Sequence, residues 1–264
     1  MYNQIKDMTP VRARDRADLG QFFLEDESIL HRIVDLAEIH PNEVILEIGA
    51  GDGRMTKLLA EKAKKVIAVE IDKRFSSDLE KIAKNVEVVI GDALKYLSAD
   101  SKDKFNIVIG NLPSTLVEPI FSKLIKVNFR LAIFLVPEKF AYKLKSHSVL
   151  GAYFEIKLID KVAKKSFSPV PRTNWEIISL KKAADPLKSE RPDSFLTRFV
   201  ADHPKAKLKN SLMEGMIKWS AARGKIVTKN ESRELVAGLK IEKKYLESVP
   251  KDLSILEKII SGIS

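Results

Sequence analysis

From residue 43 to about residue 146, short apolar runs alternate with segments whose apolar residues recur at helical spacing. Strands are predicted at 44–48, 66–70, 86–90, 105–109 and 129–136. Helices are predicted at 54–64, 73–84 and 115–127, with a further one opened by Pro137 and ending near Ser146. Alternation of this kind specifies a parallel sheet with helices on both faces, and ligands then bind beyond the carboxyl ends of the strands. Upstream, Ile29, Ile33, Val34, Leu36 and Ala37 mark a packed helix, with Asp26 or Ser28 as its cap. Downstream, 153–159 and 174–180 alternate with period two and read as an antiparallel pair. The expected fold is therefore α/β: a mostly parallel seven-stranded sheet with an antiparallel final strand pair, plus a small C-terminal all-helical domain. Residues 1–18 form an N-terminal arm, 19–184 the α/β domain and 185–264 the helical domain, with a linker at 181–186.

Charge changes this picture. The chain has 264 residues and a net charge of +10. Residues 185–264 hold 16 Lys and Arg against 11 Asp and Glu, so the shorter part carries +5 of that excess. A positive excess suits a polyanion such as nucleic acid, and it also suits a lysine-rich solvated surface. There is no cysteine, which excludes disulfides and thiol catalysis. The four His are scattered without paired ligand spacing, so no metal site is expected. The first six residues lack a signal peptide's apolar stretch, and no run is long enough to span a bilayer. A cytoplasmic protein without membrane contact is expected.

The candidate chemistry sits at strand ends. Val44-Ile45-Leu46 runs into Glu47-Ile48-Gly49-Ala50-Gly51-Asp52-Gly53, a strand leading through a glycine turn into a helix. Glycine there takes positive φ and lets a ligand approach the backbone. The next strand ends in Glu70, about 20 residues after the first glycine, the offset of a ribose-binding carboxylate. Asp92 and Asn111 also fall at strand ends. Asp52 is either a ligand contact or a turn residue, and the turn role is preferred. Trp175, in an alternating strand, and Trp219, in an amphipathic helix, read as core.

Several segments, in order, resemble one family. They are Leu19-Gly20-Gln21-Phe22-Phe23-Leu24, the glycine turn, Glu70-Ile71-Asp72, Gly91-Asp92-Ala93-Leu94, Asn111-Leu112-Pro113, Phe167-Ser168-Pro169-Val170-Pro171-Arg172 and His203–Leu212. Together they are similar to the KsgA-type rRNA adenine dimethyltransferases, related to the Erm methylases. The sheet with its antiparallel end is likewise the class I methyltransferase (Rossmann-like) arrangement. The resemblance implies S-adenosyl-L-methionine as methyl donor and adenine N6 of small-subunit rRNA as acceptor. Gly49 and Gly51 would bed the donor's methionine part, Glu70 its ribose and Asp92 its adenine amine. Leu24, with Gln21 or Phe22, would close the pocket. Asn111 and the Leu112 carbonyl would hold the target amine, with Pro113 and residue 114 beside the base and Phe167 over its other face. Lys205, Lys207 and Lys209 would bind RNA on a basic helix. The protein is expected to act as a monomer.

Two departures lie on the acceptor side. The family pattern reads N-L-P-Y, and Ser114 has no ring to stack on a base. Residues 145–151 replace a longer segment of the family that faces substrate RNA. Two alternatives stay open: a methyltransferase with another acceptor, or a noncatalytic RNA-binding paralogue.

Overall fold

In the computed structural model, residues 21–98, 103–188, 192–239, 241–250 and 257 are described. The predicted arm, Leu19, Gly20 and the apolar positions Leu256, Ile259 and Ile260 lie outside them. The described chain divides into two units. One comprises the residues up to Ala141 with Lys157–Ser179, and the other Tyr142–Ile156 with the residues from Leu180 onward. These compact units do not themselves test the expected domain boundary at 184/185. No helix of the described residues is long and apolar enough to cross a membrane.

A two-stranded sheet pairs β1 (Phe23–Leu24) with β8 (Phe167–Ser168), antiparallel, with Leu24 opposite Phe167. The main sheet holds β2 (Val44–Ile48), β3 (Lys65–Glu70), β4 (Val86–Ile90), β5 (Ile107–Asn111), β6 (Leu131–Pro137), β7 (Phe154–Val162) and β9 (Trp175–Lys182). Its order is β4-β3-β2-β5-β6-β9-β7. Ladders β4·β3, β3·β2, β2·β5 and β5·β6 are parallel. Central strands covered on both faces need unbroken apolar runs, and Ile45, Leu46, Ile107, Val108, Ile109 and Ile133 are fully buried. Edge strand β4 alternates instead and leaves Ile90 exposed.

The last two strands run oppositely. Ala183 N, after β9, donates to Tyr153 O, before β7, at 2.8 Å, whereas Lys164 N, after β7, donates to Asn174 Oδ1, before β9, at 3.1 Å. Glu138 N at the end of β6 donates to Asn174 O at 3.0 Å. The start of β9 thus lies at the carboxyl ends of the parallel strands. Gly110 permits the close β2–β5 approach, since a Cβ there would lie 2.8 Å from Ile48 O.

Asp26 is the cap of α1 (Glu27–Leu36), accepting from Ser28 N at 3.1 Å. Helix α2 (Arg54–Lys62) follows the glycine turn. The helix expected over 73–84 is only a 3-10 turn, Lys73–Phe75, and α3 (Ser76–Leu79). The chain must turn back before β4, and there Asn85 Nδ2 donates to Ala60 O at 2.9 Å and Ala63 O at 3.0 Å. Helix α4 (Ala93–Tyr96) was not expected. Helices α5 (Ser114–Leu124) and α6 (Glu138–Lys145) match the prediction apart from their ends.

In the second unit, α7 (Ser148–Tyr153), also unforeseen, packs on α8 (Asp193–Asp202). Arg198 Nε donates to Ala152 O at 2.6 Å, meeting a helix-end carbonyl that lacks an intrahelical partner. Helix α9 (Leu208–Ala221) crosses α8 closely: a Cβ on Gly215 would lie 2.9 Å from Leu196. Helix α10 (Lys229–Ala237) opens with a capping box of Thr228 and Glu231.

One ion pair joins the far ends of the first unit's strands. Arg130, before β6, donates to Glu43, before β2, through Nε at 2.7 Å and Nη2 at 2.9 Å. The same Nη2 reaches Ala37 O at 3.1 Å and Glu38 O at 3.0 Å, at the end of α1. Arg130 holds the buried Glu43 carboxyl below the usual carboxylate range. Arg130→Met should cost about 2 kcal/mol in urea unfolding, below the figure for a fully buried pair because the guanidinium is partly solvated. A change within about 0.5 kcal/mol would show the pair to be ornamental.

Candidate active site

A cavity of about 310 Å³ lies at the strand tips of the first unit. Its floor is the glycine turn. Gly49, Gly51 and Gly53 have φ of 75°, 54° and 79°, left-handed values that a side chain would strain. Gly49 N donates to Val69 O at 2.8 Å and Gly51 N to Glu70 Oε2 at 2.8 Å. Asp72 N donates to the other oxygen, Oε1, at 2.8 Å. Glu70 is thereby fixed at the tip of β3, buried, with lone pairs left on both oxygens.

Asn111 closes β5. Its Nδ2 donates to Phe22 O at 2.7 Å, which settles which way the amide is turned. Its Oδ1 is buried and has no partner. Gln21 Oε1, both oxygens of Glu47 and Trp175 Nε1 are also buried without partners, and these three residues line the cavity together with Asn111. Burial pushes the Glu47 carboxyl up to about 8; the nearby Thr56 hydroxyl opposes the shift, and the Glu70 and Asp52 carboxylates add to it. Native proteins leave few such groups unpaired, so a cluster of them marks a place completed by a ligand.

Of the residues singled out from sequence, Gln21, Phe22, Leu24, Gly49, Gly51, Glu70, Asn111 and Pro113 line the cavity. Asp92, Leu112, Ser114 and Phe167 do not. Asp92 Oδ1 caps α4, accepting from Leu94 N at 2.8 Å. Leu112 is fully buried, with its N–H on Leu135 O at 2.9 Å, and Ser114 begins α5. Phe167 is 2% exposed, and its ring centroid lies 5.0 Å from that of Trp175. Asp52, read as a turn residue, lines the cavity as well and pairs with Arg54 at 3.1 Å.

Lys205, Lys207 and Lys209 belong to the second unit. Only Lys209 lies in a helix; Lys205 is in the preceding turn and Lys207 is the N-cap of α9. Lys207 Nζ donates to Glu247 at 3.0 Å, and Lys209 Nζ lies 3.8 Å from the same carboxylate. Trp219 carries the Arg223 guanidinium 3.8 Å from its ring centroid.

Sequence reasoning gave no site role to Glu47 or Ile71 and read Trp175 as core, and all three are in the lining. Two signals were present. Glu47 is an acid inside a strand buried on both faces. Ile71 is apolar directly after a strand-tip acid, and it is 71% exposed. For Trp175 the alternating strand pointed to core, and it does belong to the main core cluster.

A parallel sheet ended by a reversed strand, with a glycine turn and an acid at successive strand tips, defines a class I methyltransferase domain. Residues 12–243 match the family described as "Ribosomal RNA adenine dimethylase", and the chain belongs to that family. It is 31% identical over 235 residues to "Probable ribosomal RNA small subunit methyltransferase A" of Methanococcus aeolicus, covering 83% of this chain and 86% of that one. The protein of the same name from Methanosarcina acetivorans is 37% identical over 210 residues, covering 73% and 76%. Among solved structures, a dimethyladenosine transferase from Plasmodium falciparum superposes with a TM-score of 0.61 at 22% identity, over 91% of this chain and 98% of that one. The 23S rRNA methyltransferase ErmE gives 0.57 at 23%, over 90% and 99%. At these identities the two structures speak for the fold.

Glu47 also sets a pH dependence. Its folded pKa is raised above the ordinary 4.5, so its stabilising contribution is complete below that value and is lost as pH rises through about 8. Glu47→Gln removes the titration. Thermal melts without ligand should show wild type losing several degrees relative to the variant between pH 5 and 8. Parallel curves would mean that the carboxyl is solvated.

Proposed function

We infer that this protein transfers methyl groups from S-adenosyl-L-methionine to the N6 amine of adenine in small-subunit ribosomal RNA during ribosome biogenesis. The observation that carries the reading is Asn111, whose amide is locked by Phe22 O with its own oxygen unpaired in the cavity. The residues present fit the donor. Its methionine part suits a backbone free of side chains at Gly49 and Gly51, and its ribose hydroxyls suit the remaining lone pairs of Glu70. Leu24, Gln21 and Phe22 supply the adjoining wall. Asp92 retains its second oxygen for the donor's adenine amine, although the first caps α4.

When bound, the donor supplies an electrophilic methyl on a sulfonium. The protein's part is to orient the acceptor. An exocyclic adenine amine is a poor nucleophile, because its lone pair is delocalised into the ring. Asn111 Oδ1 accepts from the amine, turns the lone pair out of conjugation and stabilises the positive charge that develops on nitrogen; the Leu112 carbonyl, expected to share this role, is buried outside the cavity. Pro113 borders the base, and no strong base is needed before transfer. Lys205, Lys207 and Lys209 form a phosphate-binding edge of the second unit. The protein works as a cytoplasmic monomer with RNA as partner.

Labelled donor and undermethylated small ribosomal subunits should yield a methylated adenine on mapping. Label on another base, or none, would overturn the acceptor assignment. Asn111→Ala should lower kcat on the order of a hundredfold while changing donor affinity less than tenfold. Reversing Lys205, Lys207 and Lys209 to Glu should weaken RNA binding and reduce the salt slope by about 2. An unchanged slope would remove these lysines from the interface.

A further inference from the structure

The acceptor half of the cavity has no ring at residue 114, and Phe167 lies outside the lining. Trp175 does line it. In the sheet order, Asn111 closes the middle strand, β5. Glu70 lies two strands away on one side and Trp175 two strands away on the other. The glycine turn and Glu70 occupy the β2–β3 side, which leaves the β6–β9 side for the acceptor. Because β9 is reversed, its first residue is the one delivered to the carboxyl ends.

Trp175 is 2% exposed and belongs to the main core cluster as well as to the cavity lining. Buried Trp N–H groups usually find an acceptor; Trp175 Nε1 and Trp219 Nε1 both lack one, and of the two Trp175 lines the cavity. Phe22 lies edge-on at 6.1 Å and 67°, and Phe167 is tilted at 5.0 Å, so two aromatic neighbours hold the ring. Phe22 is also the residue whose carbonyl fixes the Asn111 amide. One residue therefore positions both an unpaired acceptor, Asn111 Oδ1, and an unpaired donor, Trp175 Nε1. Adenine shows the complementary pair along either edge: the N6 amine donates, and the adjoining ring nitrogen, N7 or N1, accepts.

We propose that Trp175 is the acceptor-base contact of this enzyme: its N–H donates to a ring nitrogen of the target adenine beside the amine held by Asn111. This rests on the adenine-methylating reading and adds a specificity determinant to it. Guanine and uracil present a carbonyl where adenine presents the amine, so Asn111 Oδ1 would meet an acceptor.

The test uses the full-length protein with S-adenosylmethionine and undermethylated small subunits. Trp175→Phe keeps a ring and removes the N–H. It should lower kcat/KM for the particle about tenfold while leaving donor affinity by calorimetry and the thermal midpoint near wild type. A second variant, Trp219→Phe, leaves Trp175 as the sole indole emitter. With S-adenosylhomocysteine bound, an adenine-containing single-stranded oligonucleotide should quench that emission, and a uridine oligonucleotide bound to the same extent should quench it less. Wild-type kcat/KM in Trp175→Phe, or unaltered emission when anisotropy shows the adenine oligonucleotide bound, would overturn the proposal. If wild type transfers no methyl group to the particle, the adenine reading fails and takes this contact with it. If wild type is active and Trp175→Phe is its equal, the contact alone fails.

Discussion

The carboxylate of Glu70 is the constraint on which the site depends. It takes the N–H of Gly51 on one oxygen and that of Asp72 on the other. Two segments far apart in sequence are thereby held at one strand tip without any side chain standing in the cavity. Charge-assisted bonds of this kind are stronger than neutral ones, and burial strengthens them further. The left-handed glycines make the turn possible, and the acid decides where it stays. That arrangement leaves a carboxylate with spare lone pairs facing a bare backbone, the combination a ribose and an amino-acid tail require.

The remaining polar atoms are arranged on the opposite logic. Gln21 Oε1, Asn111 Oδ1, the Glu47 oxygens and Trp175 Nε1 are withheld from partners inside the protein. Each costs stability in the free state. A protein keeps such groups where a ligand completes them, and their positions then describe that ligand. Here they describe acceptors for amines, hydroxyls or an ammonium group, and one donor beside the amide acceptor.

Much of this was legible in the sequence, for identifiable reasons. Central strands such as 44–48 and 105–109 are continuous apolar runs because both faces are covered, and that signal is local. Glu70 and Asn111 were visible because the chemistry sits at strand ends. What escaped depended on contacts distant in sequence. The pairing of Phe23–Leu24 with Phe167–Ser168 leaves no periodic trace, since two residues carry no period. Trp175 looked like core because it is core, and a strand pattern cannot report that it also lines a cavity. The apolar spacing over 73–84 suggested a helix, but it could not report that Asn85 turns the chain back at the end of α2. Lys207 was placed on a helix by the family resemblance, whereas the backbone makes it a cap.

The short β1–β8 sheet has a consequence for how the protein is made. One wall of the cavity comes from residues 21–24, near the beginning of the chain, and their partners Phe167 and Ser168, with Trp175 just beyond, are translated much later. A nascent chain emerging from the ribosome exposes its glycine turn and Glu70 long before the opposing aromatic residues exist. The corner that would receive the donor is thus translated well before the wall that faces it.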